Sequence, residues 1–284
     1  MMALVTTLAF LATGGWASEE SCTTLGDIVP YDASFASFSS AVLTAVRRAR
    51  LLVGDNHALK VGMPCAPDGG LWLQFGVYRG ATIRELAAYA TRTRKSECVY
   101  GFDSFRGLPE KWRDTDRRHQ RFAAQGAFDL HARPPFPAGG GIEWVVGLFN
   151  ETLPGFLDAH VASAISLLHM DADLYSSTAT VFREMAARRL MRPGIVIIFD
   201  ELINYPGYAK HEMLALWELL RNETLSAREK QNPRHDGKVF GVEMLGTSTR
   251  FVSEDREVNP NAVAVRLVRV AAPRLATSYD TTRT

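Results

Sequence analysis

Ile195-Val196-Ile197-Ile198-Phe199-Asp200 is the stretch on which the fold turns. It is a short apolar run rich in β-branched residues, with Pro193-Gly194 before it and Asp200-Glu201 closing it. Such a run, bounded by turn residues, reads as a strand buried on both faces, as in parallel sheets. Upstream, Ala164-Ile165-Ser166-Leu167-Leu168-His169-Met170-Asp171 has the same form and also ends in an acid. A helical pattern over 177–190 separates the two. Further upstream, strands are expected over 71–76, 98–103 and 142–147, with helices over 82–91 and 153–162. Downstream, a helix is expected over 210–221 and strands over 239–245 and 262–270. Strands alternating with helices make parallel βαβ units. The spacing therefore predicts an α/β fold: a doubly wound, mostly parallel seven-stranded sheet with helices on both faces.

The rest of the chain is arranged around that core. With 284 residues there is material for one large α/β domain and additions. Residues 1–18 are expected to be a secretory signal peptide: an apolar run, Leu4 to Ala12, is followed by small residues and an exit near Ala17. That run is too short for an ordinary membrane-spanning helix, so no stable membrane insertion is expected after cleavage. Residues 19–70 read as an N-terminal arm. It holds an amphipathic helix over 34–50, a stop at Gly54-Asp55-Asn56, and a loop with Pro64 and Pro67-Asp68-Gly69-Gly70. Residues 71–272 form the main domain, with insertions at 110–141 and 203–237, and 273–284 form a flexible tail. Insertions after strands open at the carboxyl edge of a parallel sheet, where ligands bind, so these two are candidate lids or recognition loops.

Net charge is +1, which offers no footprint for nucleic acid. Of three cysteines, Cys22 and Cys65 can pair in an oxidising compartment, whereas Cys98 opens a buried strand as an inert thiol. Two sequons, Asn150-Glu151-Thr152 and Asn222-Glu223-Thr224, fit a glycoprotein of the secretory lumen or the exterior. A cytoplasmic location is the alternative.

The chemistry-bearing residues stand at strand ends. Gly76-Val77-Tyr78-Arg79-Gly80-Ala81-Thr82 is a glycine turn between strand and helix, where the backbone can approach a ligand or simply pack tightly. Asp103, in Gly101-Phe102-Asp103-Ser104-Phe105, suits ribose hydroxyls; a turn or capping role is the alternative. Asp171-Ala172-Asp173 and Asp200-Glu201 bring four more carboxylates to neighbouring strand ends. Gathered acids repel unless a proton or cation lies among them, and a hard divalent ion such as magnesium is the expected solution. The alternative is helix capping by Asp173 or Ser176 and loop bonding by Asp200. The chain has neither a Gly-x-Ser-x-Gly elbow nor a His-Glu-x-x-His zinc motif, since His211-Glu212 is followed by Met213-Leu214-Ala215.

Taken in order, Gln74-Phe75-Gly76-Val77-Tyr78-Arg79-Gly80, Asp103-Ser104-Phe105-Arg106-Gly107-Leu108-Pro109, Gly147-Leu148-Phe149-Asn150-Glu151-Thr152-Leu153-Pro154, Met170-Asp171-Ala172-Asp173-Leu174-Tyr175-Ser176-Ser177-Thr178 and Phe199-Asp200-Glu201 resemble the macrocin O-methyltransferase family. Its members methylate sugar hydroxyls on macrolide and aminocoumarin antibiotics. The resemblance implies a Rossmann-like methyltransferase fold, S-adenosylmethionine as donor, magnesium, and a small hydroxylated acceptor such as a sugar. By position it assigns Gln74, Gly76, Tyr78, Arg79, Thr82, Asp103, Ser104, Phe105, Gly147, Phe149 and Asp171 to the donor. It assigns Asp171, Asp200 and Glu201 to the metal, and Asp173, with Asp171, to catalysis as general base. Two residues depart from the family's pattern: Gln74 replaces a usual Glu, and Glu201 replaces the second member of an Asp-Asp pair. A nicotinamide-dependent oxidoreductase and a non-catalytic luminal binding protein are the competing readings, and homo-oligomerisation is left open.

Overall fold

The computed structural model describes residues 22, 26–49, 51–53, 57–113, 120–229, 238–249 and 261–271. The chain runs through β1 (Ile28–Pro30), α1 (Phe35–Arg48), β2 (Leu51–Val53), α2 (His57–Cys65), β3 (Leu71–Phe75), α3 (Ala81–Thr93), β4 (Val99–Asp103) and α4 (Gln120–Ala123). It continues through β5 (Ile142–Val146), α5 (Phe149–Ala159), β6 (Ile165–Met170), α6 (Tyr175–Ala187), β7 (Val196–Phe199), a 3₁₀ turn (Tyr208–Lys210), α7 (Glu212–Glu229), β8 (Lys238–Thr249) and β9 (Ala262–Ala271).

All seven expected strands form, and their sheet is doubly wound. Its order is β1-β8-β9-β7-β6-β3-β4-β5, and β2 pairs with β8 as the ninth strand. The segment β7-β6-β3-β4-β5 is parallel throughout. β9 pairs antiparallel with β7 and with β8. From β3 the chain steps outward to β4 and β5, then returns to β6 on the other side. The carboxyl ends of β3 and β6 thus flank a switch point, where a crevice opens in sheets of this kind.

Both faces are covered, as the continuous apolar runs require. β6 and β7 are buried at every position. On one face, α1, α5, α6 and α7 pack a core that includes Phe38, Leu157, Phe182 and Leu216. On the other, α2 and α3 pack Leu59, Met63, Ile83 and Leu86 against Trp72 and Ile198.

The N-terminal arm is part of this body. α1 starts where Ser34 accepts a hydrogen bond from the Ser37 amide (3.3 Å), and Arg47 and Arg48 stand in its last turn. It ends two residues earlier than expected. Ala49 is extended, and the chain enters β2 at Leu51. α2 occupies what reads as loop, because Pro64 and the glycines after it hide the helix. Pro64 lies in its final turn, and Gly62 lets it approach the sheet: a Cβ there would stand 2.6 Å from Ile198 Cδ1. Cys22 and Cys65 are joined in a disulfide (Cα–Cα 4.7 Å). Cys98 is a free thiol, raised to about 11 first by burial and then by Glu143, which suits an inert role.

Other boundaries shift by tertiary context. α5 begins at Phe149 rather than 153, which places Pro154 in its second turn, where the ring forgoes a hydrogen bond to the Asn150 carbonyl. α7 runs on to Glu229, past the expected end at 221. The expected signal segment, the stop at Gly54-Asp55-Asn56 and the tail lie outside the described residues. Among the described residues, no helix is long and apolar enough to cross a membrane.

If the arm belongs to the core, Phe38→Ala, which empties a fully buried site, should cost about 3–5 kcal/mol. Urea unfolding checks this; a cost under ~1 kcal/mol would show that α1 is not part of the cooperative unit.

Candidate active site

The carboxyl ends of β3, β4, β5, β6 and β7 open into one cavity of about 1170 Å³. That exceeds the usual size of a site for a single small ligand, leaving room for two reactants. Two groups of sequence-predicted residues line it.

The first group is organised by Asp103. Its Oδ2 accepts hydrogen bonds from the amides of Val77 (2.8 Å) and Tyr78 (3.0 Å), and its Oδ1 accepts one from Phe105 (2.7 Å). The carboxylate therefore does fix a turn, and it keeps acceptor capacity for a ligand hydroxyl, since two oxygens offer about four sites. Gly76 (φ 87) has a packing reason to be glycine: a Cβ would lie 1.9 Å from the Asp171 carbonyl oxygen. That contact brings the glycine turn against the end of β6. Gly147 donates its amide to Asp103 O (3.0 Å), and Phe149 stands edge-on to Phe75 (5.3 Å). Tyr78, Ser104, Gly147, Leu148 and Phe149 complete this wall.

Four predicted donor residues do not reach the cavity wall. Gln74 is fully buried behind the turn, where its amide donates to Gly76 O (2.8 Å) and its Oε1 meets no partner. Phe105 is buried with its ring edge-on to Trp144 (5.8 Å). The Arg79 guanidinium sits 5.1 Å from the Tyr78 ring centroid. Thr82 lies in the first turn of α3. Their placement is that of supports for the turn.

The second group is acidic: Asp171, Asp173, Asp200 and Glu201 all line the cavity. The N-cap residue of α6, Leu174, makes no side-chain cap, and Ser176 donates to Glu110 Oε1 (2.5 Å). Asp173 holds a left-handed backbone (φ 58). Aspartate tolerates this better than most residues, and such strain is characteristic of functional positions.

The metal expectation meets a different arrangement. Among the described residues, no group of three or more His, Cys, Asp and Glu side chains is disposed to hold a metal ion. Asp171, Asp200 and Glu201 share a wall but do not converge at ligand spacing, so as placed they do not fit an ion.

A fifth acid explains part of how the cluster is tolerated. Glu212, at the start of α7, is wholly buried, receives the Thr178 hydroxyl (3.4 Å), and has an unpartnered Oε2. Burial, then Asp173, Asp171, Asp200 and Glu201, hold its carboxyl well above the usual range. A proton on Glu212 thus removes one charge from behind the wall. Beside it, burial, Glu212 and Glu201 push the Tyr205 hydroxyl upward against an opposing effect of Arg113. Sequence reading passed over Glu212, because its position next to His211 was weighed only as a zinc motif. Trp112, Arg113 and Tyr205 were missed as well. Trp112 and Tyr205 come from the two insertions, and meet at 5.6 Å.

The comparisons bear on this geometry. Residues 73–202 match a family described as a methyltransferase domain. The matched segment holds the glycine turn, Asp103, Gly147, Phe149 and all four acids of the wall. With the strand order, it gives the chain the α/β Rossmann-like methyltransferase fold. Among solved structures, the chain is similar to the calicheamicin methyltransferase CalS11 (18% identity, 82% of this chain and 86% of that one, TM-score 0.46). It is also similar to the O-methyltransferase NovP (18%, 75% and 80%, TM-score 0.44). A putative methyltransferase from Streptococcus mutans in complex with SAH is a further one (12%, 74% and 94%, TM-score 0.34). The fold assignment does not rest on these likenesses. No curated protein matches the chain in sequence.

The buried Glu212 has a consequence for stability. Its folded pKa lies above its ordinary value of 4.5, so above that pH the folded state holds a proton the unfolded state has released, and stability falls as pH rises. Glu212→Gln should therefore be more stable than the wild type at pH 7, by about 1 kcal/mol or more, and no more stable at pH 3.5. Thermal unfolding at both pH values checks it; an equal gain at both would contradict a titrating Glu212.

Proposed function

We propose that this protein is an S-adenosylmethionine-dependent O-methyltransferase acting on a hydroxyl of a small molecule, such as a sugar. One observation carries the reading: within the segment that matches the methyltransferase domain, the Asp103 wall and the Asp171–Asp173 wall face a single cavity. The ordered motifs shared with the macrocin O-methyltransferase family support the choice of oxygen as acceptor.

The residues present fit the donor. Asp103 has acceptor capacity left for ribose hydroxyls, held in place by three amides. Leu148 and Phe149 offer an apolar surface for a base, and the amides around Gly76 sit at the switch point. When bound, S-adenosylmethionine supplies an electrophilic methyl group. The chain's own task is to align the acceptor oxygen and take its proton. Asp173 is assigned as the base, with Asp171 beside it to hold the hydroxyl. From the segment after β4, Leu108, Trp112 and Phe122 line the cavity, an apolar surface that would limit water around the methyl group. Magnesium is not built into this mechanism, because the acids do not converge as ligands.

The compartment is proposed as the secretory lumen or the exterior. The Cys22–Cys65 disulfide supports it, since such bonds persist in oxidising surroundings.

Calorimetry with S-adenosylhomocysteine tests the reading. One molecule is expected to bind per chain, equally well with a chelator present. Asp103→Ala should weaken binding by tenfold or more, since it removes the ribose acceptor and unties the turn. Asp173→Asn should leave the affinity within about twofold while lowering methyl transfer roughly 10²–10⁴-fold, the usual worth of a positioned base. Failure of the folded wild type to bind would sink the proposal.

A further inference from the structure

Arg113 is held at the cavity wall in a setting unlike that of the chain's ion-paired arginines. Its guanidinium lies 3.7 Å over the Trp112 ring and 4.7 Å from the Tyr205 ring centroid. Its Nε and Nη1 are buried and meet no acceptor among the described residues. Two other half-buried arginines are met by carboxylates. Arg188 bonds Asp158 (2.8 Å) and Glu184 (2.7 Å), and Arg266 bonds Glu243 (2.6 Å). At Arg113 the chain supplies rings instead.

A guanidinium keeps its charge at every accessible pH. Contact with rings engages its flat faces. It leaves the N–H edge without an acceptor, and polar N–H groups withdrawn from water without one are costly to keep. The pair of rings fixes the direction in which that edge points. The result is a preorganised cation on the wall of the cavity that also holds the carboxylates, with two buried N–H donors that meet no acceptor among the described residues.

We propose that Arg113 binds an oxyanion, a phosphate or a carboxylate, carried by the methyl acceptor at a position remote from its reacting hydroxyl. The charge layout gives the acceptor one orientation. Its anionic end is drawn to Arg113 and repelled from Asp171 and Asp173, so its neutral hydroxyl end is presented to the base. A neutral acceptor would leave the Arg113 donors unsatisfied, which makes this position a determinant of specificity. The inference rests on the methyltransferase reading for the word acceptor, and on Arg113 alone for the anion.

The test is calorimetry of the full chain, saturated with S-adenosylhomocysteine, titrated separately with inorganic pyrophosphate, tricarballylate and methyl α-glucoside. At least one anion should bind saturably at one site, and the neutral glycoside should not compete with it. Which anion binds tells phosphate from carboxylate. Arg113→Gln should weaken that binding at least tenfold. Arg113→Lys, which keeps the charge but loses the planar stack, should fall between. S-adenosylhomocysteine affinity should stay within twofold in both, and Arg113→Lys serves alone if Arg113→Gln does not fold. Binding of neither anion, or equal binding by the wild type and the folded variants, overturns the proposal. If S-adenosylhomocysteine itself does not bind, the methyltransferase reading fails; the same titrations run without it still decide whether Arg113 holds an anion.

Discussion

Three backbone N–H groups converge on the carboxylate of Asp103, and the site's geometry depends on that convergence. Val77 and Tyr78 belong to the turn after β3, and Phe105 to the loop after β4. One side chain therefore sets the position of both loops, and charge-assisted bonds of this kind are roughly twice as strong as neutral ones. Gly76 completes the arrangement from the other side. With no Cβ, it lets the turn press against the Asp171 carbonyl, so the glycine turn after β3 and the end of β6 are in direct backbone contact. The two meet at the sheet's switch point.

The second constraint is charge. Asp171, Asp173, Asp200 and Glu201 crowd one end of the sheet beside Glu212, and each of the four raises the cost of ionising it. Sequence reading answered that crowding with a metal ion. In the structure, burial and the four neighbouring acids hold the carboxyl of the enclosed Glu212 well above its usual range. Reading acids at strand ends correctly locates the charge; it does not distinguish a cation from a proton as its partner, because that depends on spacing and depth.

How much was legible follows from how local each signal is. β3 to β7 were readable because a buried parallel strand is a continuous apolar run, as in 195–200. β1 and β2 were not, since three residues at a sheet edge carry no periodicity. α2 was hidden by Pro64, whose place in the last turn is visible only once the helix packs on Ile198. Asp103, Gly147, Phe149, Asp171 and Asp173 were found from their order along the chain, and all reach the cavity. Gln74 and Phe105 belong to the same motifs yet face the core, because neighbouring residues in a strand or tight turn point in opposite directions. Trp112, Arg113 and Tyr205 were illegible for a different reason: the stack joins two insertions far apart in sequence.

The most direct measurement is a crystal structure of the protein with S-adenosylhomocysteine. The predicted result has the ribose hydroxyls on Asp103, the base against Leu148 and Phe149, and the sulfur facing Asp171 and Asp173 across the remaining cavity. A ligand bound elsewhere, or bound with its sulfur turned away from those two carboxylates, would contradict it.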